Sequence, residues 1–193
     1  KYSSDDYAEF RTLLVDLLNY GAASQIYTDH NTDDLVNADL TEEQAAWGTS
    51  ETPELETVMD KAYETISNPT VTWKGAGLNL EDSVTMRFKI ATESIEDLKV
   101  KVTNDAGEEW IIYSDTFEAT TGGYYVFFDG LNAGQMSEAV YVTVYEGNTK
   151  VSDTIRYSIE SYAYTKQNSG DEKLDNLLIA MMKYGNAANS YIN

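Results

Sequence analysis

The sequence predicts a mainly β, mixed α+β fold: an antiparallel, immunoglobulin-like β-sandwich of about seven strands with helices at both ends of the chain. Near both ends, apolar residues recur every three or four positions, which is typical of amphipathic helices. Between residues 70 and 161 they alternate with polar residues, and turn-forming Gly, Asn and Asp separate the alternating segments. We expect a single domain over residues 1–193, with a helical segment at 1–69, the sandwich at 70–161 and a C-terminal helix at 171–193 that packs back.

The N-terminal segment predicts two helices. Residues 5–27 carry an apolar stripe formed by Phe10, Leu13, Leu14, Leu17, Leu18, Gly21 and Ser24. After a polar loop at 28–34, the run Thr41-Glu-Glu-Gln44 has the pattern of a capping box, in which the two end side chains satisfy free backbone N–H groups. This run predicts a short helix that carries Trp47.

Residues 53–66 allow two interpretations. Apolar side chains recur there at helical spacing, and Pro53 suits the first turn of a helix. The Thr and Ile of the run YETIS (63–67) instead favour an extended segment that leads into the sheet. We favour a helix for the first half only.

Seven segments between residues 70 and 161 predict strands. Residues 84–90 and 98–103 alternate strictly between apolar and polar side chains, as half-buried strands do. Hairpin-type turns such as Gly122-Gly123 and Gly147-Asn148 separate the segments. The other predicted strands are 70–73, 109–114, 123–130, 139–146 and 150–160.

The two terminal helices share an unusual motif. Residues 17–27 read LLNYGAASQIY, and residues 181–191 read MMKYGNAANSY. A Gly inside a helix costs about 1 kcal/mol relative to Ala, so it is best tolerated where another part of the chain approaches closely. We interpret the motif as packing, with the helices lying against each other or against one sheet. The apolar stripe of the C-terminal helix comprises Leu174, Leu177, Leu178, Met181, Gly185 and Ala188.

Two of the predicted strands are apolar on both faces. They contain the runs WIIY (110–113) and YYVFF (124–128). A strand whose outer face meets water alternates cleanly, so these runs indicate a sheet that is covered on its outer side. We expect the terminal helices to cover that sheet.

The composition excludes several classes of protein. Thirty-three acidic against thirteen basic residues give a net charge of −20, which repels phosphate backbones, so no nucleic-acid partner is expected. The chain contains no Cys, which excludes disulfides, zinc–thiolate sites and thiol catalysis. The longest apolar run, 177–182, has six residues, far too few for membrane insertion. The chain starts at Lys1, as expected of a module excised from a longer protein.

Several separated segments are similar to a known kind of module. They include LLVDLLNYGAASQIY, NPTVTWKGAGLNLEDSVTMRF, LNAGQMSEAVYVTVYEG and LLIAMMKYGNAANSY, and together they extend over nearly the whole chain. They resemble a recurrent module of large secreted, surface-attached proteins of gut and rumen Gram-positive anaerobes, some of which belong to polysaccharide-degrading complexes. The resemblance implies an extracellular, cell-surface, non-catalytic module, and it transfers no site residue.

The sequence carries no catalytic signature and one weak metal-binding pattern. Residues 29–40 place oxygen ligands at four EF-hand positions, but Asp34 stands where the sharp turn needs Gly, and Leu40 where a bidentate Glu is needed. We interpret 29–40 as an acidic loop and expect no metal or cofactor, although the many carboxylates leave room for weak Ca²⁺ binding. His30 is the only His, and no nucleophile motif accompanies it, so no enzyme is expected. Paired carboxylates of the glycosidase kind stay open, because they meet in space rather than in sequence.

Aromatic side chains are the best candidates for a ligand site. Sugars present flat C–H faces that stack on aromatic rings, while nearby carboxylates or amides bind their hydroxyls. Trp47 follows a short helix, Trp110 follows a turn and Trp73 stands at a strand end, and the alternative for each is a role in the core or at its rim. Tyr113 and Tyr125 are candidates for a platform on a sheet face, although cover by the helices is the competing interpretation.

Two functions fit these observations. The first is a non-catalytic carbohydrate-binding module that binds starch, another plant polysaccharide or their oligosaccharides by aromatic stacking. The alternative is a structural or protein-interaction module that spaces or docks the neighbouring domains of a longer chain. We expect a monomer in either case.

Overall fold

The computed structural model describes residues 7–80 and 83–192, which group into two compact units. The helical unit combines Lys1–Glu56, Leu131–Ser137 and Ala163–Asn193, and the sandwich unit combines Thr57–Gly130 and Glu138–Tyr162. That the whole chain folds as a single domain, and that the helices cover one sheet, stay predictions.

Ten strands in the described residues form two antiparallel sheets: β1 (Asp60–Glu64), β2 (Thr72–Asn79), β3 (Thr85–Ala91), β4 (Leu98–Asn104), β5 (Glu109–Tyr113), β6 (Glu118–Thr120), β7 (Gly123–Phe128), β8 (Val140–Glu146), β9 (Thr149–Lys150) and β10 (Thr154–Tyr157). The larger sheet has the order β1-β10-β8-β4-β5, with β9 paired to β8, and the smaller sheet has the order β2-β3-β7-β6. Aromatic contacts join the sheets, since Phe88 meets Tyr157 and Trp110 meets Phe128. This architecture confirms the predicted sandwich with helices at both ends and adds to its strand count.

Alternation along each strand decides which side chains form the core. β3 and β4 both bury every second side chain, which confirms the predicted period of two. β8 buries Val140, Val142 and Val144, and it therefore turns Tyr141 and Tyr145 to the outer face of the larger sheet.

The helix predicted for the first half of 53–66 is wrong. Residues 53–59 are not helical, and β1 follows them and pairs with β10. Distant side chains explain the difference: Ser161 Oγ accepts a hydrogen bond from Val58 N at 3.0 Å, and Asp153 Oδ1 accepts one from Ile66 N at 2.9 Å. These bonds take up backbone donors that a helix would pair within itself. The extended interpretation is the better one.

Other element boundaries also differ from the predicted ones. The predicted strand 150–160 is divided into β9, β10 and a helix, α3 (Ile159–Lys166). Ser158 explains the change, because its Oγ accepts a hydrogen bond from Ser161 N at 2.9 Å and thereby caps the helix. β2 extends well beyond the predicted 70–73, while β1 and β6 have no counterpart among the predicted strands.

The helical unit contains two long helices, α1 (Ala8–Thr28) and α4 (Glu172–Ile192). In the chain, α4 follows α3. They confirm the two predicted terminal helices, although positions 5 and 6 of the first lie outside the described residues. The helices run antiparallel, with Phe10 of α1 against Tyr191 of α4 and Tyr20 stacked on Tyr184.

The short helix α2 (Glu42–Ala45) begins with the predicted capping box. Thr41 Oγ1 accepts a hydrogen bond from Gln44 N at 3.2 Å, and Gln44 Oε1 accepts one from Thr41 N at 2.9 Å. The helix ends before Trp47, which lies in the following turn rather than on the helix. The carbonyl oxygen of Trp47 accepts a hydrogen bond from Thr12 Oγ1 of α1 at 2.9 Å.

The buried faces of the two long helices differ in how well the sequence predicts them. α4 buries the predicted stripe except for its first residue, Leu174, which is half-buried. In α1 the prediction is partly wrong: Leu14 and Leu17 are 42% and 41% exposed, and the buried residues are Val15, Asp16 and Ala22. The cause is a polar contact, because the Asp16 carboxylate binds the turn after α2 and so turns its own side of the helix inward.

The glycines of the repeated motif make room for connecting segments. A Cβ on Gly21 would lie 2.8 Å from Val36 Cγ2, and a Cβ on Gly185 would lie 2.9 Å from Met136 Sδ and 3.2 Å from the carbonyl oxygen of Ala133. The expected close approach is confirmed at both positions. Its partners are the turn after α1 and the segment 131–137, rather than the opposite helix.

Candidate functional site

A groove of about 420 Å³ lies on the outer face of the larger sheet. Outward-facing residues of β8 and β4 supply its floor, while the apolar residues that alternate with them face the core. Three tyrosines line the groove together with hydroxyl, amide and charged side chains. The tyrosines are Tyr63, Tyr141 and Tyr145.

Two of the tyrosines form one aromatic surface. The ring centroids of Tyr63 and Tyr141 are 4.9 Å apart, and their planes are inclined at 50°. Tyr63 is 47% exposed, so its ring remains accessible from solvent. Tyr141 Oη donates a hydrogen bond to Asp105 Oδ1 at 2.7 Å, which fixes the ring, and this bond is the main reason why the pKa of Tyr141 is raised.

Polar side chains form the other part of the lining. Lys150 Nζ donates to Thr154 Oγ1 at 2.6 Å and lies 3.0 Å from Glu64 Oε2. The hydrogen bond from Lys150 holds the pKa of the Glu64 carboxyl below its ordinary value. Thr143 Oγ1 and Thr154 Oγ1 are 2.8 Å apart, so one hydroxyl donates to the other. The groove therefore presents hydrogen-bond donors and acceptors that are already oriented.

Charges at the groove are balanced by neighbouring partners. Lys101 forms an ion pair with Glu109, and the hydrogen bond between them is the main cause of the raised pKa of Lys101. Lys150 pairs with Glu64 in the same way on the other side of the groove. The face therefore offers charged groups for hydrogen bonding without a large excess of either sign.

Two of the predicted site tryptophans are engaged in packing within the sandwich unit. Trp73 Nε1 donates to the carbonyl oxygen of Asp153 at 2.8 Å, and its ring meets the edge of Phe88. The ring of Trp110 lies 5.1 Å from that of Phe128, centroid to centroid, on the inner side of the larger sheet. Both are half-buried, which fits the interpretation of core or rim anchors better than that of a stacking platform.

The other three predicted site residues lie at separate places. Trp47 belongs to the helical unit, where the guanidinium of Arg11 sits 4.9 Å from its ring centroid. Tyr125 lies on the outer face of the smaller sheet, with the guanidinium of Arg87 4.8 Å from its ring. Tyr113 is 62% exposed on the outer face of the larger sheet, the same face as the groove.

The prediction from sequence missed the groove tyrosines Tyr63, Tyr141 and Tyr145. A signal for two of them exists in the run VYVTVYE, in which buried valines alternate with outward-facing residues. Tyr63 gives no such signal, because it meets Tyr141 only through the pairing of β1 with β10 at the edge of the sheet.

Comparison of the chain with models of known protein families, with curated proteins and with solved structures found no match. The resemblance to modules of surface-attached bacterial proteins therefore stays a prediction. Within residues 7–80 and 83–192, no cluster of three or more His, Asp or Glu side chains is arranged to hold a metal ion. No helix in that part of the chain is both long and apolar enough to cross a membrane.

Proposed function

We propose that the protein is a non-catalytic glycan-binding module of a secreted, cell-surface bacterial protein, and that the tyrosine-lined groove is its binding site. The observation that carries the proposal is the combination, in one open groove, of the Tyr63–Tyr141 aromatic surface with oriented hydroxyl and charged groups. Sugars need both elements, since their C–H faces stack on rings and their hydroxyls bind polar groups.

The charge distribution favours an uncharged glycan such as starch or another neutral plant polysaccharide. Lys101 and Lys150, the two cations that line the groove, are each paired with a glutamate. The chain as a whole has a net charge of −20, so it repels polyanions that come within the range at which salt does not screen its charges.

Glu64 suits hydrogen bonding to a ligand better than the role of a general acid. A general acid in a glycosidase needs a raised pKa, so that the proton is still present at the working pH. Lys150 instead holds the pKa of Glu64 down. An ionised carboxylate of this kind accepts hydrogen bonds from sugar hydroxyls.

Affinity electrophoresis and calorimetry against starch, xylan, β-glucan, mannan and pectin test the proposal. We expect retention by at least one neutral polysaccharide and a loss of affinity of about tenfold in Tyr141→Ala, the size of a lost aromatic contact. Tyr141→Phe keeps the ring and removes only the bond to Asp105, so it separates stacking from hydrogen bonding. Tyr125→Ala, on the outer face of the other sheet, is the matched control and leaves retention unchanged. Retention that is equal in wild type and Tyr141→Ala would contradict this site.

A protein-interaction module is the second candidate function, and one observation favours it. Phe10, Leu14 and Leu17 of α1 are 39%, 42% and 41% exposed and follow one another at helical spacing. An exposed apolar stripe of this kind suits docking to another protein. Absence of retention on every polysaccharide in the panel would favour this second function.

A further inference from the structure

A second hollow lies on the same outer face as the groove, on the side of β5. Its volume is about 650 Å³, and its lining includes Lys99, Tyr113, Asp115 and Glu146. The ring of Tyr113 is 62% exposed and has no ring partner among residues 7–80 and 83–192. The hollow thus repeats the composition of the groove: an aromatic ring beside charged hydrogen-bonding groups.

Strand register connects the hollow to the groove. Lys99 of β4 stands directly opposite Tyr113 of β5 on one side and Tyr145 of β8 on the other. Tyr145 lines the groove, whereas Tyr113 lines the hollow, so these three side chains form a cross-strand row that leads from one to the other. At about 4.8 Å between neighbouring strands, the face from β1 to β5 is about 19 Å wide.

We propose that the hollow is a second subsite and that the ligand is a glycan chain long enough to occupy both hollow and groove. Tyr113 stacks on one sugar of the chain, while the aromatic surface of Tyr63 and Tyr141 stacks on another. The carboxylates of Asp115 and Glu146 accept hydrogen bonds from hydroxyls, which again suits an uncharged chain. This inference rests on the proposed glycan-binding function and adds the length of the ligand to it.

Calorimetry with matched short and long oligosaccharides tests the second subsite. The probes are maltose and maltohexaose, cellobiose and cellohexaose, and xylobiose and xylohexaose. We expect the hexasaccharide of one series to bind at least about tenfold more tightly than its disaccharide, because it gains a second stacking contact. Tyr113→Ala abolishes that gain and leaves the disaccharide affinity unchanged, whereas Tyr141→Ala weakens both probes.

Two control variants keep the result specific. Tyr113→Phe retains the ring and therefore the gain for the hexasaccharide. Tyr164→Ala removes another exposed tyrosine, on α3, and changes neither affinity. Two results would overturn the second subsite and leave the glycan-binding function standing. The first is equal affinity for the long and short probes. The second is full hexasaccharide affinity in Tyr113→Ala together with a loss in Tyr141→Ala. Failure of all six probes and of every polysaccharide to bind would overturn both.

Discussion

Tyr20 of α1 stacks on Tyr184 of α4, with ring centroids 5.8 Å apart and ring planes inclined at only 5°. These two tyrosines occupy equivalent positions in the repeated motif, and they meet where the two antiparallel helices pack against each other. Burial raises the pKa of Tyr20, and proximity to Tyr184 adds to the effect. The repeated motif therefore brings one tyrosine of each helix into this stacked pair.

Replacement of Gly185 by Leu is expected to destabilise the helical unit. Any side chain there would meet Met136 Sδ and the backbone oxygen of Ala133, and the second of these cannot rotate away. Overpacking of this kind costs about 1–3 kcal/mol, which lowers Tm by several degrees in a protein of this size. Gly21→Leu is expected to cost less, because Val36 is 51% exposed and lies on a turn that can shift.

Asn186→Leu is the control for these two variants, since this neighbouring position on α4 is exposed. Thermal unfolding followed by circular dichroism measures all three. An unchanged Tm in both glycine variants would contradict the account of close packing against connecting segments.

Replacement of Asp16 by Ala is expected to destabilise the turn after α2. Asp16 is 1% exposed, and its carboxylate accepts hydrogen bonds from Thr49 N at 3.0 Å and Thr49 Oγ1 at 2.6 Å. Lys183 Nζ also holds this turn, by donating to the carbonyl oxygen of Thr49 at 2.7 Å. Loss of the carboxylate leaves the Thr49 N–H without its partner, which costs about 1–3 kcal/mol. Asp39→Ala, at an exposed position, is the matched control for a thermal melt, and a Tm equal to wild type in Asp16→Ala would contradict the role of the buried carboxylate.

The ion pair of Glu64 and Lys150 is expected to give a measurable titration. Lys150 holds the folded-state pKa of Glu64 below its unfolded-state value. The pair therefore stabilises the fold at pH values above the unfolded-state pKa, and this stabilisation is lost as the pH falls through the folded-state pKa. An NMR titration of Glu64 should show a midpoint below that of an ordinary glutamate. Lys150→Met should raise that midpoint, and Lys166→Met on α3 should not. A midpoint that is the same in wild type and Lys150→Met would contradict the pairing.

Alkaline pH is expected to destabilise the sandwich unit through Tyr157. Its side chain is 2% exposed, and burial raises its pKa far above the ordinary value of 10.0. Because the pKa of Tyr157 is higher in the folded state, its contribution to the stability of the fold is complete below the unfolded-state pKa. That contribution is lost as the pH rises toward the folded-state pKa. Denaturant unfolding at neutral and alkaline pH should therefore show a smaller alkaline loss in Tyr157→Phe than in wild type. The same loss in both proteins, with Tyr164→Phe as control, would contradict this assignment.

The elements that sequence predicts well are those in which local pattern and final environment agree. β3 and β4 alternate in sequence and bury one face each, and α4 buries the stripe that its spacing predicts. The predictions fail where hydrogen bonds to a polar residue from a distant part of the chain determine the local structure. Asp153 and Ser161 hold residues 58–66 extended, and Thr49 turns the Asp16 side of α1 inward.

The sequence likewise predicts only the part of the candidate site that depends on local pattern. The alternation in β8 predicts that Tyr141 and Tyr145 share a face, but no local pattern places Tyr63 beside Tyr141. That neighbourhood depends on the pairing of β1 with β10, which are separated by about half of the chain. The large aromatic rings of the tryptophans make them candidates for a ligand site in the sequence. Large rings are also well suited to packing, and Trp73 and Trp110 pack against other aromatic rings.

The segment 131–137 belongs to the helical unit, although it comes from the middle of the chain, between β7 and β8. The backbone therefore passes from one unit to the other at four points, after residues 56, 130, 137 and 162. Neither unit is a continuous stretch of sequence, so no single cut in the gene separates them. A fragment that keeps only residues 57–162 would leave 131–137 without the helix that Gly134 and Met136 contact.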